Sequence, residues 1–530
     1  MNSSSGTQPV ITPALDPEWA VPREPGLTRA LRRVSGAQLR PGNTLTLLQN
    51  GPDTFDDWLA AISRAQRWVH LENYIFKADQ IGRRFADALS ERAAAGVPVR
   101  VLYDWYGSWD VPSRFWQQLR HNGVDVRVVN PLGVGAPLHA ISRDHRKFVA
   151  VDGEYASVGG VCIADPWLQR SPVTGLPYRD TAVGVTGPVV ADLERAFAAI
   201  WATSGPPLPP DEVPDIAQMR LTGSTAARVM AEEPGRQQML RMLQVLLAGV
   251  ENRVWIADAY FLILPILREA LIAAARDGID VRILLPATND LPIVGALSRW
   301  GYRPLLEVGI RIWEYAGLMM HAKTTIADGW WSRVGSTNLN VTGLITNWEI
   351  NLVAEDTTFG AAMEAMYLQD LSDAREIRLG GPRRYTPPLP VRPETRLERR
   401  ARKEAQHGSG FSSAGVGRLS AALGAAGSST LEHQERLVGA AIGGTLVATS
   451  LLTARFPRLL AWPLAAVGAA AGGTTLIRAL RPSVPGAQKP ARTQALRSGW
   501  RRSGRRRGNA GRRANLLKGR RRIGRYSEPA

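Results

Sequence analysis

Two eight-residue patterns in the chain carry the same reactive residue types at the same spacing. They read His145-Arg-Lys147-Phe-Val-Ala-Val-Asp152 and His321-Ala-Lys323-Thr-Thr-Ile-Ala-Asp328. Residues two apart on a β-strand point to the same face, so each His shares a face with its Lys. An imidazole there can attack phosphorus while the ammonium group holds a non-bridging phosphate oxygen. Each Asp falls near the strand end, where we expect it to fix the backbone turn rather than touch substrate.

A single His-x-Lys pair is weak evidence, because ordinary strands also contain these residues. The chain has only seven histidines, however, and two of them begin the repeated pattern. We estimate that chance would double such a pattern well under ~1% of the time. The repetition therefore indicates a reaction centre rather than two unrelated strands.

Glycine-containing turns follow both patterns. The first contains Gly159-Gly160, and the second reads Gly335-Ser336-Thr-Asn338. Hydroxyl, amide and main-chain N–H groups in such turns can donate hydrogen bonds to a phosphate oxyanion. Gly160, Ser336 and Asn338 are therefore candidate phosphate-stabilising or orienting residues.

The elements that position the two patterns repeat as well. The first segment is expected to contain helices at 53–66 and 82–96, with strands at 67–76, 97–107 and 123–131. The second is expected to contain helices at 237–251, 266–278 and near 290–307, with strands at 252–261, 279–286 and 309–315. Strands separated by helices of this length indicate parallel βαβ units. The matched order predicts an internal duplication of about 150–180 residues, and an α/β fold of two lobes that form a pseudo-dimer.

A chain of 530 residues is too long for one ordinary domain. Changes in composition predict six regions: an N-terminal extension (1–41), a first lobe (42–210), a second lobe (225–376), a Pro/Gly/Ser-rich linker (377–430), an apolar helical hairpin (431–478) and an Arg-rich disordered tail (479–530). The N-terminal extension lacks the apolar core of a signal peptide. The single cysteine, Cys162, excludes an intrachain disulfide framework and a multi-cysteine metal site.

Charge and hydropathy set the C-terminal region apart. Residues 478–530 contain 17 Lys and Arg against one acid, which is +16 of the total formal charge of +18. Two uncharged stretches, Leu437–Ala454 and Leu459–Ile477, each barely reach the thickness of a bilayer core. A membrane hairpin is the favoured interpretation, and a buried Ala/Gly-rich hairpin is the alternative. The basic tail suits anionic lipid headgroups; nucleic acid and simple solubilisation are its other interpretations.

Taken together, the motifs resemble the paired catalytic motifs of the phospholipase D superfamily. Over roughly residues 42–375 the chain is most similar to bacterial cardiolipin synthases. The stretches that carry this resemblance are Leu71–Phe76, Asp144–Lys147, Gly159–Ile163, Met320–Lys323, Gly335–Leu339 and Asn347–Glu349. The resemblance implies two α/β/α lobes, an active site at their seam and no metal or other cofactor.

The resemblance also implies roles for individual residues. One imidazole attacks phosphorus and forms a phosphohistidine, while the other protonates the leaving alkoxide. We name His145 as the nucleophile, although the symmetry of the motifs allows the roles to be exchanged. A carboxylate is expected to orient each histidine, and Glu349 and its positional counterpart Asp180 are the candidates.

The chain departs from the family pattern at two places. Asn338 of the second motif has Cys162 as its counterpart in the first half, where an asparagine is expected. A thiol is a weaker hydrogen-bond donor than an amide. Packing is the favoured role for Cys162, with a redox or catalytic role as the alternative. Asn340-Val-Thr-Gly follows the second motif, where many members have Asp-x-Arg-Ser, and this weakens assignment of one substrate more than assignment of the chemistry.

The leading hypothesis is a cardiolipin synthase-type phosphatidyltransferase that uses phosphatidylglycerol at the bacterial cell membrane, with its lobes in the cytoplasm. The rivals are a phospholipase D-type hydrolase, a nuclease of the same superfamily and a non-catalytic scaffold. No protein partner is predicted.

Among the aromatic residues, Trp105, Tyr106, Trp109 and Trp116 are more readily explained by packing than by lipid contact, and Trp330-Trp331 are a weaker candidate for lipid contact.

Overall fold

The computed structural model describes residues 25–131 and 142–379, and in this part of the chain fifteen strands form one continuous sheet. The strands are β1 (Arg40–Gln49), β2 (Val69–Asn73), β3 (Val99–Asp104), β4 (Asp125–Val129), β5 (Lys147–Val151), β6 (Tyr155–Gly159), β7 (Thr181–Thr186), β8 (Thr225–Glu232), β9 (Arg253–Ala257), β10 (Asp280–Pro286), β11 (Arg311–Tyr315), β12 (Thr324–Ala327), β13 (Trp331–Gly335), β14 (Glu349–Glu355) and β15 (Ala374–Ile377). The α-helices are α1 (Pro25–Ser35), α2 (Asn50–Ser63), α3 (Gln80–Ala94), α4 (Ser113–His121), α5 (Val189–Trp201), α6 (Gln238–Gly249), α7 (Pro265–Arg276), α8 (Pro292–Trp300), α9 (Tyr302–Leu306) and α10 (Thr357–Ser372).

The strand order confirms the predicted duplication. Across the sheet it runs β15-β11-β10-β9-β12-β13-β14-β8-β1-β7-β6-β5-β2-β3-β4. From the centre outward, the first half reads β1-β7-β6-β5-β2-β3-β4 and the second half reads β8-β14-β13-β12-β9-β10-β11, which is the same order. The halves join where β1 pairs antiparallel with β8 across a register shift. The predicted α/β fold of two related lobes is therefore correct.

Parallel strands carry the outer part of each half. In the first half β2, β3 and β4 run parallel, and β9, β10 and β11 do so in the second. Helices connect these strands, as crossover connections require. Helices α2 and α3 bury Phe55, Trp58 and Phe85, whose rings meet edge to face at centroid distances of 5.8–6.5 Å. Such pairs fill the volume between the helices and the sheet.

The inner strands β1, β7, β8 and β14 were not anticipated from the sequence. They form the middle of the sheet, where a buried core cluster includes residues of α5 and α10 and of both halves. Phe197 of α5 and Met363 of α10 are fully buried in this cluster. The two halves therefore share this central core, in addition to a core cluster in each half.

Helix α1 lies within the region expected to be an N-terminal extension. Its Leu27 and Leu31 are buried in the core of the second half, beside Met239 and Leu243 of α6. Gly249 at the end of α6 leaves room for this helix, because a Cβ there would lie 2.6 Å from Leu27. The chain thus packs a segment that precedes the first half onto the second.

The helix expected near 290–307 is divided into α8 and α9 at Gly301. The linker beyond residue 379, the apolar hairpin and the basic tail lie outside the described residues. Within residues 25–131 and 142–379, no helix combines the length and the apolar character needed to cross a bilayer.

Candidate active site

His145 and Lys147 lie where β5 begins, next to β2. Lys147 pairs with Asn73 of β2, and its fully buried ammonium group donates a hydrogen bond to the His145 carbonyl. The ring of Tyr74 lies 4.9 Å from the imidazole centroid and 4.9 Å from Lys147 Nζ. The imidazole and the ammonium group are thus fixed against one aromatic wall.

His321 and Lys323 repeat this arrangement just before β12. Lys323 is fully buried, and its ammonium group donates to the His321 carbonyl. Tyr260 corresponds in place to Tyr74, with its ring centroid 5.9 Å from that of His321 and 5.9 Å from Lys323 Nζ. The two motifs therefore build two closely similar half-sites.

Each histidine is held by a carboxylate from the opposite half of the molecule. His145 Nδ1 lies 3.0 Å from both oxygens of Glu349, and His321 Nδ1 lies 2.8 Å from Asp180 Oδ2. The backbones also cross the seam, because the His145 amide donates to the Trp348 carbonyl at 3.0 Å. The His321 amide donates to the Arg179 carbonyl at 2.6 Å. Neither half-site is complete within its own half.

Glu349 is surrounded by polar side chains of the second half. It accepts hydrogen bonds from the Ser336 hydroxyl at 2.5 Å and from Asn347 Nδ2 at 3.2 Å. Burial raises the pKa of Glu349 to about 8, although Lys147 and the Ser336 hydrogen bond oppose this. Ser336 is thus placed to orient the carboxylate that holds His145.

Asp180 has different neighbours. Trp167 Nε1 donates to it at 2.8 Å, and the Thr181 amide donates at 2.8 Å. Gly160 makes room for the carboxylate, because a Cβ at this position would lie 2.1 Å from Asp180 Oδ1. Burial alone would raise the pKa of Asp180, but the charge and hydrogen bond of His321 and the charge of Lys323 outweigh it and hold this pKa below its usual value.

The two imidazoles differ in their affinity for a proton. Burial, together with the charges of Lys147 and Lys323, holds the pKa of His145 well below its usual value. Burial and Lys323 also lower the pKa of His321, but the negative charge of Asp180 opposes this. The Lys323 pKa falls to about 8 because the ammonium group is buried. Of the two imidazoles, His321 is the easier to protonate.

The third residue of each motif lies at the far edge of the sheet. Asp152 accepts hydrogen bonds from the backbone amides of 66–68 at 2.7–3.0 Å, and Asp328 accepts from those of 251–253 at 2.8 Å. Both adopt positive φ, 58° and 50°, in tight turns where glycine follows. An aspartate tolerates this conformation and can hydrogen-bond nearby amides. These carboxylates are placed to fix turns, at the opposite end of β5 and β12 from the histidines.

A cavity of about 440 Å³ opens over the seam. His145, His321, Tyr74, Tyr260, Asn338 and Cys162 are among its lining residues. Within the described chain the buried Asn338 Oδ1 has no hydrogen-bond partner. Cys162 is fully buried with Sγ 3.9 Å from the Gly160 carbonyl, and burial raises the pKa of its thiol. The described residues contain no cluster of His, Cys, Asp and Glu suited to a metal ion.

Comparison with known proteins fits this geometry. The family model described as "Cardiolipin synthase, PLD-like domain" matches residues 58–171 and 244–371. Cardiolipin synthase A of Pseudomonas putida is 34% identical over 352 residues, covering 66% of this chain and 72% of that protein. A cardiolipin synthase of Geobacillus is 30% identical over 370 residues, covering 68% and 74%. The chain belongs to the cardiolipin synthase family.

Membership in this family makes the protein a phospholipid phosphatidyltransferase of the phospholipase D superfamily. The phosphatidylserine synthase of Haemophilus influenzae has a similar fold, with a TM-score of 0.52 at 15% identity. That match covers 72% of this chain and 98% of the other. The family model matches two separate segments, and each of them contains one of the two His-x-Lys motifs.

The sequence pattern did not single out Trp167 as a site residue, and it marked Asn347 only as part of the stretch Asn347–Glu349, without a role. Trp167 contacts Asp180 and lies with its ring centroid 5.3 Å from that of His321, while Asn347 contacts Glu349. Neither residue lies near a motif histidine in the sequence. Of the aromatic residues considered for lipid contact, Trp116 and Trp331 are buried, because they pack in the two cores. Tyr106 and Trp109 are exposed.

Proposed function

We propose that the protein is a cardiolipin synthase-type phosphatidyltransferase that acts on phosphatidylglycerol through a phosphohistidine intermediate. It moves the phosphatidyl group of one phosphatidylglycerol to a glycerol hydroxyl of a second, and free glycerol is released. The observation that carries the proposal is the pair of imidazoles in one cavity, each held by a carboxylate of the opposite half.

In the first half-reaction, His145 Nε2 attacks phosphorus and the bond between phosphorus and the glycerol oxygen breaks. The His321 imidazolium gives its Nε2 proton to that oxygen, and glycerol leaves. In the second half-reaction, the incoming hydroxyl gives its proton to His321 and its oxygen attacks phosphorus. The bond between phosphorus and His145 then breaks, which restores both histidines.

The surroundings of the two imidazoles support this division of roles. A nucleophile needs a free nitrogen lone pair, and the pKa of His145 is held well below its usual value by burial and by the lysines. A general acid must carry a proton, and His321 is the easier of the two to protonate, because the ionised Asp180 opposes the lowering of its pKa by burial and by Lys323. We therefore assign attack to His145 and proton transfer to His321.

The two lysines stabilise the charge that develops on phosphate, and Asn338 serves another part of the substrate. Lys147 and Lys323 are buried cations beside the two histidines, and they stabilise the equatorial oxygens. Asn338 has an unpaired buried Oδ1 at the cavity, which can accept a bond from a substrate hydroxyl. The apolar side chains of Leu262, Val294 and Val341 also line the cavity. A wall of this kind favours a lipid acceptor over water, and so transfer over hydrolysis.

Attachment to the membrane is part of the proposal and rests on the sequence pattern alone. The apolar pair within 431–478 and the basic tail 479–530 would hold the enzyme on anionic lipid, with the lobes on the cytoplasmic side.

The test is to incubate the purified protein in detergent with phosphatidylglycerol and to follow lipids and free glycerol. We expect cardiolipin and glycerol from the wild type, and a loss of at least about 10³-fold in His145→Ala and in His321→Ala. His121→Ala, which removes an exposed histidine of α4, is the matched control and should remain active. Phosphatidic acid as the product would indicate the hydrolase. No turnover of phospholipid would contradict the proposal, and nucleic acid would be tested next.

A further inference from the structure

Helix α8 presents an exposed apolar face beside the cavity. Ile293, Leu297 and Trp300 are spaced four and three residues apart, so they lie on one side of the helix. Their exposed fractions are 67%, 47% and 86%. Ser298, on the opposite side, is buried. A helix of this kind leaves its apolar face without a partner, whereas soluble helices normally turn that face inward.

The apolar face is continuous with the catalytic cavity. Leu291 precedes the helix and is 52% exposed, yet it lines the cavity together with Val294 of α8 and both histidines. An acyl chain that leaves the cavity would therefore pass directly onto α8. Arg299 is the one charged residue of this helix, and it is bound to Glu314 at 2.6 Å and to the Ala287 carbonyl. This anchor fixes the helix without placing a free charge on its apolar face.

A second exposed patch occupies the equivalent place in the other half. Tyr106 and Trp109, 59% and 69% exposed, follow β3, which corresponds to the strand β10 that precedes α8. Strand β3 runs parallel to β2, which leads to Tyr74, and β10 runs parallel to β9, which leads to Tyr260. Both tyrosines line the cavity, so both patches lie at the edge of the sheet where the cavity opens. Tryptophan and tyrosine are the residues enriched where proteins meet the bilayer interface.

We propose that the apolar face of α8, supported by Tyr106 and Trp109, docks the mouth of the cavity onto a phospholipid bilayer. The bilayer is the occupant because this face continues into the cavity proposed for a phospholipid, and long-chain phospholipids are held in bilayers. The inference rests on the proposed function only in that the substrate is a phospholipid. Docking would let the substrate enter the cavity without passing through water.

The first experiment measures the position of α8 in the full chain. Ile293→Cys is labelled with an environment-sensitive fluorophore; the native Cys162 is fully buried and does not compete for the label. The matched control is Leu221→Cys, which is 45% exposed and lines a different cavity, one that also includes Asp152 at the far edge of the sheet. With phosphatidylglycerol vesicles we expect a blue shift of emission at 293 and none at 221. No shift at 293, or equal shifts at both positions, would overturn the proposal.

The second experiment separates docking from catalysis. The double variant Ile293→Asp/Leu297→Asp is compared with Leu221→Asp on phosphatidylglycerol vesicles and on a short-chain phosphatidylglycerol dispersed as monomers. We expect the double variant to lose about tenfold or more in turnover on vesicles and less than about twofold on the monomeric lipid. Leu221→Asp should match the wild type on both.

Equal losses of the double variant on both lipids would overturn docking, since they would indicate damage to the site or to folding. Unchanged turnover of the double variant on vesicles would also overturn docking. If that variant also lost self-association, the apolar face of α8 would be a contact with a second copy of the chain instead. If the wild type turned over neither lipid, the proposed function would fail. The emission shift at 293 would still decide whether α8 meets the bilayer.

Discussion

The two half-sites contain the same reactive residues but hold them by different means. His145 faces Glu349, which is supported by a serine hydroxyl and an asparagine amide, Ser336 and Asn347. His321 faces Asp180, which is supported by the Trp167 indole and a backbone amide. The pKa of Glu349 is raised to about 8, whereas that of Asp180 is lowered. The difference teaches that the duplication kept the histidines and lysines of the motifs, whereas the residues around the two carboxylates diverged and now give those carboxylates different pKa values.

A similar divergence occurs away from the site. His70 of β2 occupies the position that Trp255 occupies in β9. The buried His70 contacts Glu194 at 2.5 Å and Glu212 at 3.3 Å, while Trp255 donates to Asp280 at 3.1 Å. The first half therefore buries a cluster of titratable groups where the second buries an indole.

The largest expected effect tests whether the two histidines have different roles. A substrate with a p-nitrophenolate leaving group needs little protonation, so general-acid catalysis contributes little to its cleavage. We expect His321→Ala to regain about 10²-fold or more on this substrate relative to phosphatidylglycerol, and His145→Ala to stay inactive. If His145→Ala regained activity on this substrate instead, the two roles would be exchanged. If both variants regained activity equally, the histidines would not have different roles. Burst kinetics of p-nitrophenolate release provide the measurement.

The next prediction compares the two carboxylates. We expect Glu349→Gln and Asp180→Asn each to lower kcat/KM by about 10²–10³-fold, because an amide no longer fixes the imidazole tautomer. Below its pKa of about 8, protonated Glu349 donates to His145 Nδ1 and leaves the proton on Nε2, which blocks attack. Above it, the carboxylate accepts from Nδ1 and frees the Nε2 lone pair. On the p-nitrophenyl substrate, whose leaving group does not need the His321 proton, the rate of the wild type should therefore rise with pH through about 8.

The pH profile distinguishes the two variants. Asp180→Asn should keep the rise near pH 8, and Glu349→Gln should lose it. A rise that survives in Glu349→Gln would assign it to another group, and Lys323, whose pKa is also about 8, would be the next to test.

A smaller effect is expected from the indole that distinguishes the second half-site. Trp167→Phe removes the N–H that donates to Asp180 and should lower kcat about tenfold, with little change in KM. Trp58→Phe is the matched control, because this buried indole N–H has no partner in the described residues. Similar losses in both variants would indicate a packing effect rather than a role in positioning Asp180.

The smallest effect concerns stability. Burial alone would lower the pKa of His70, but the charge and hydrogen bond of Glu194 and the contact with Glu212 outweigh it and raise this pKa above 6.5. The imidazolium thus stabilises the fold fully below about pH 6.5, and this contribution is lost as the pH rises through the raised pKa. The pKa of Glu212 is lowered to about 2, where hydrogen bonds to Arg100 and His70 outweigh burial. The ionised Glu212 carboxylate therefore stabilises the fold above about pH 4.5, and this stabilisation is lost as the pH falls towards its lowered pKa.

We therefore expect His70→Gln to cost about 1–3 kcal/mol of unfolding free energy near pH 6 and less near pH 9. Denaturant unfolding at the two pH values measures this difference. An equal cost at both would show that packing of the ring, and not its charge, is what matters. Trp255→Phe provides the comparison in the other half and should show little dependence on pH over the same range.

The sequence by itself determined the duplication and the residue types that the two motifs bring to the candidate site. Histidine and lysine two residues apart, repeated at equivalent places, predicted the paired motifs, because strand geometry is local and fixes which side chains share a face. Alternating helices and strands predicted the parallel outer strands for the same reason. The inner strands β1, β7, β8 and β14 were missed, since their pairing depends on contacts between distant parts of the chain.

Only the tertiary structure decided which carboxylate holds which histidine. Glu349 is nearer in sequence to His321 and Asp180 is nearer to His145, yet each pairs with the histidine of the other half. The shared core of α5 and α10 brings the halves together, and backbone bonds across the seam at Trp348 and Arg179 set this exchange. The ring contact between Trp167 and His321 forms in the same way. No local pattern encodes such contacts, because they arise from packing between segments more than a hundred residues apart.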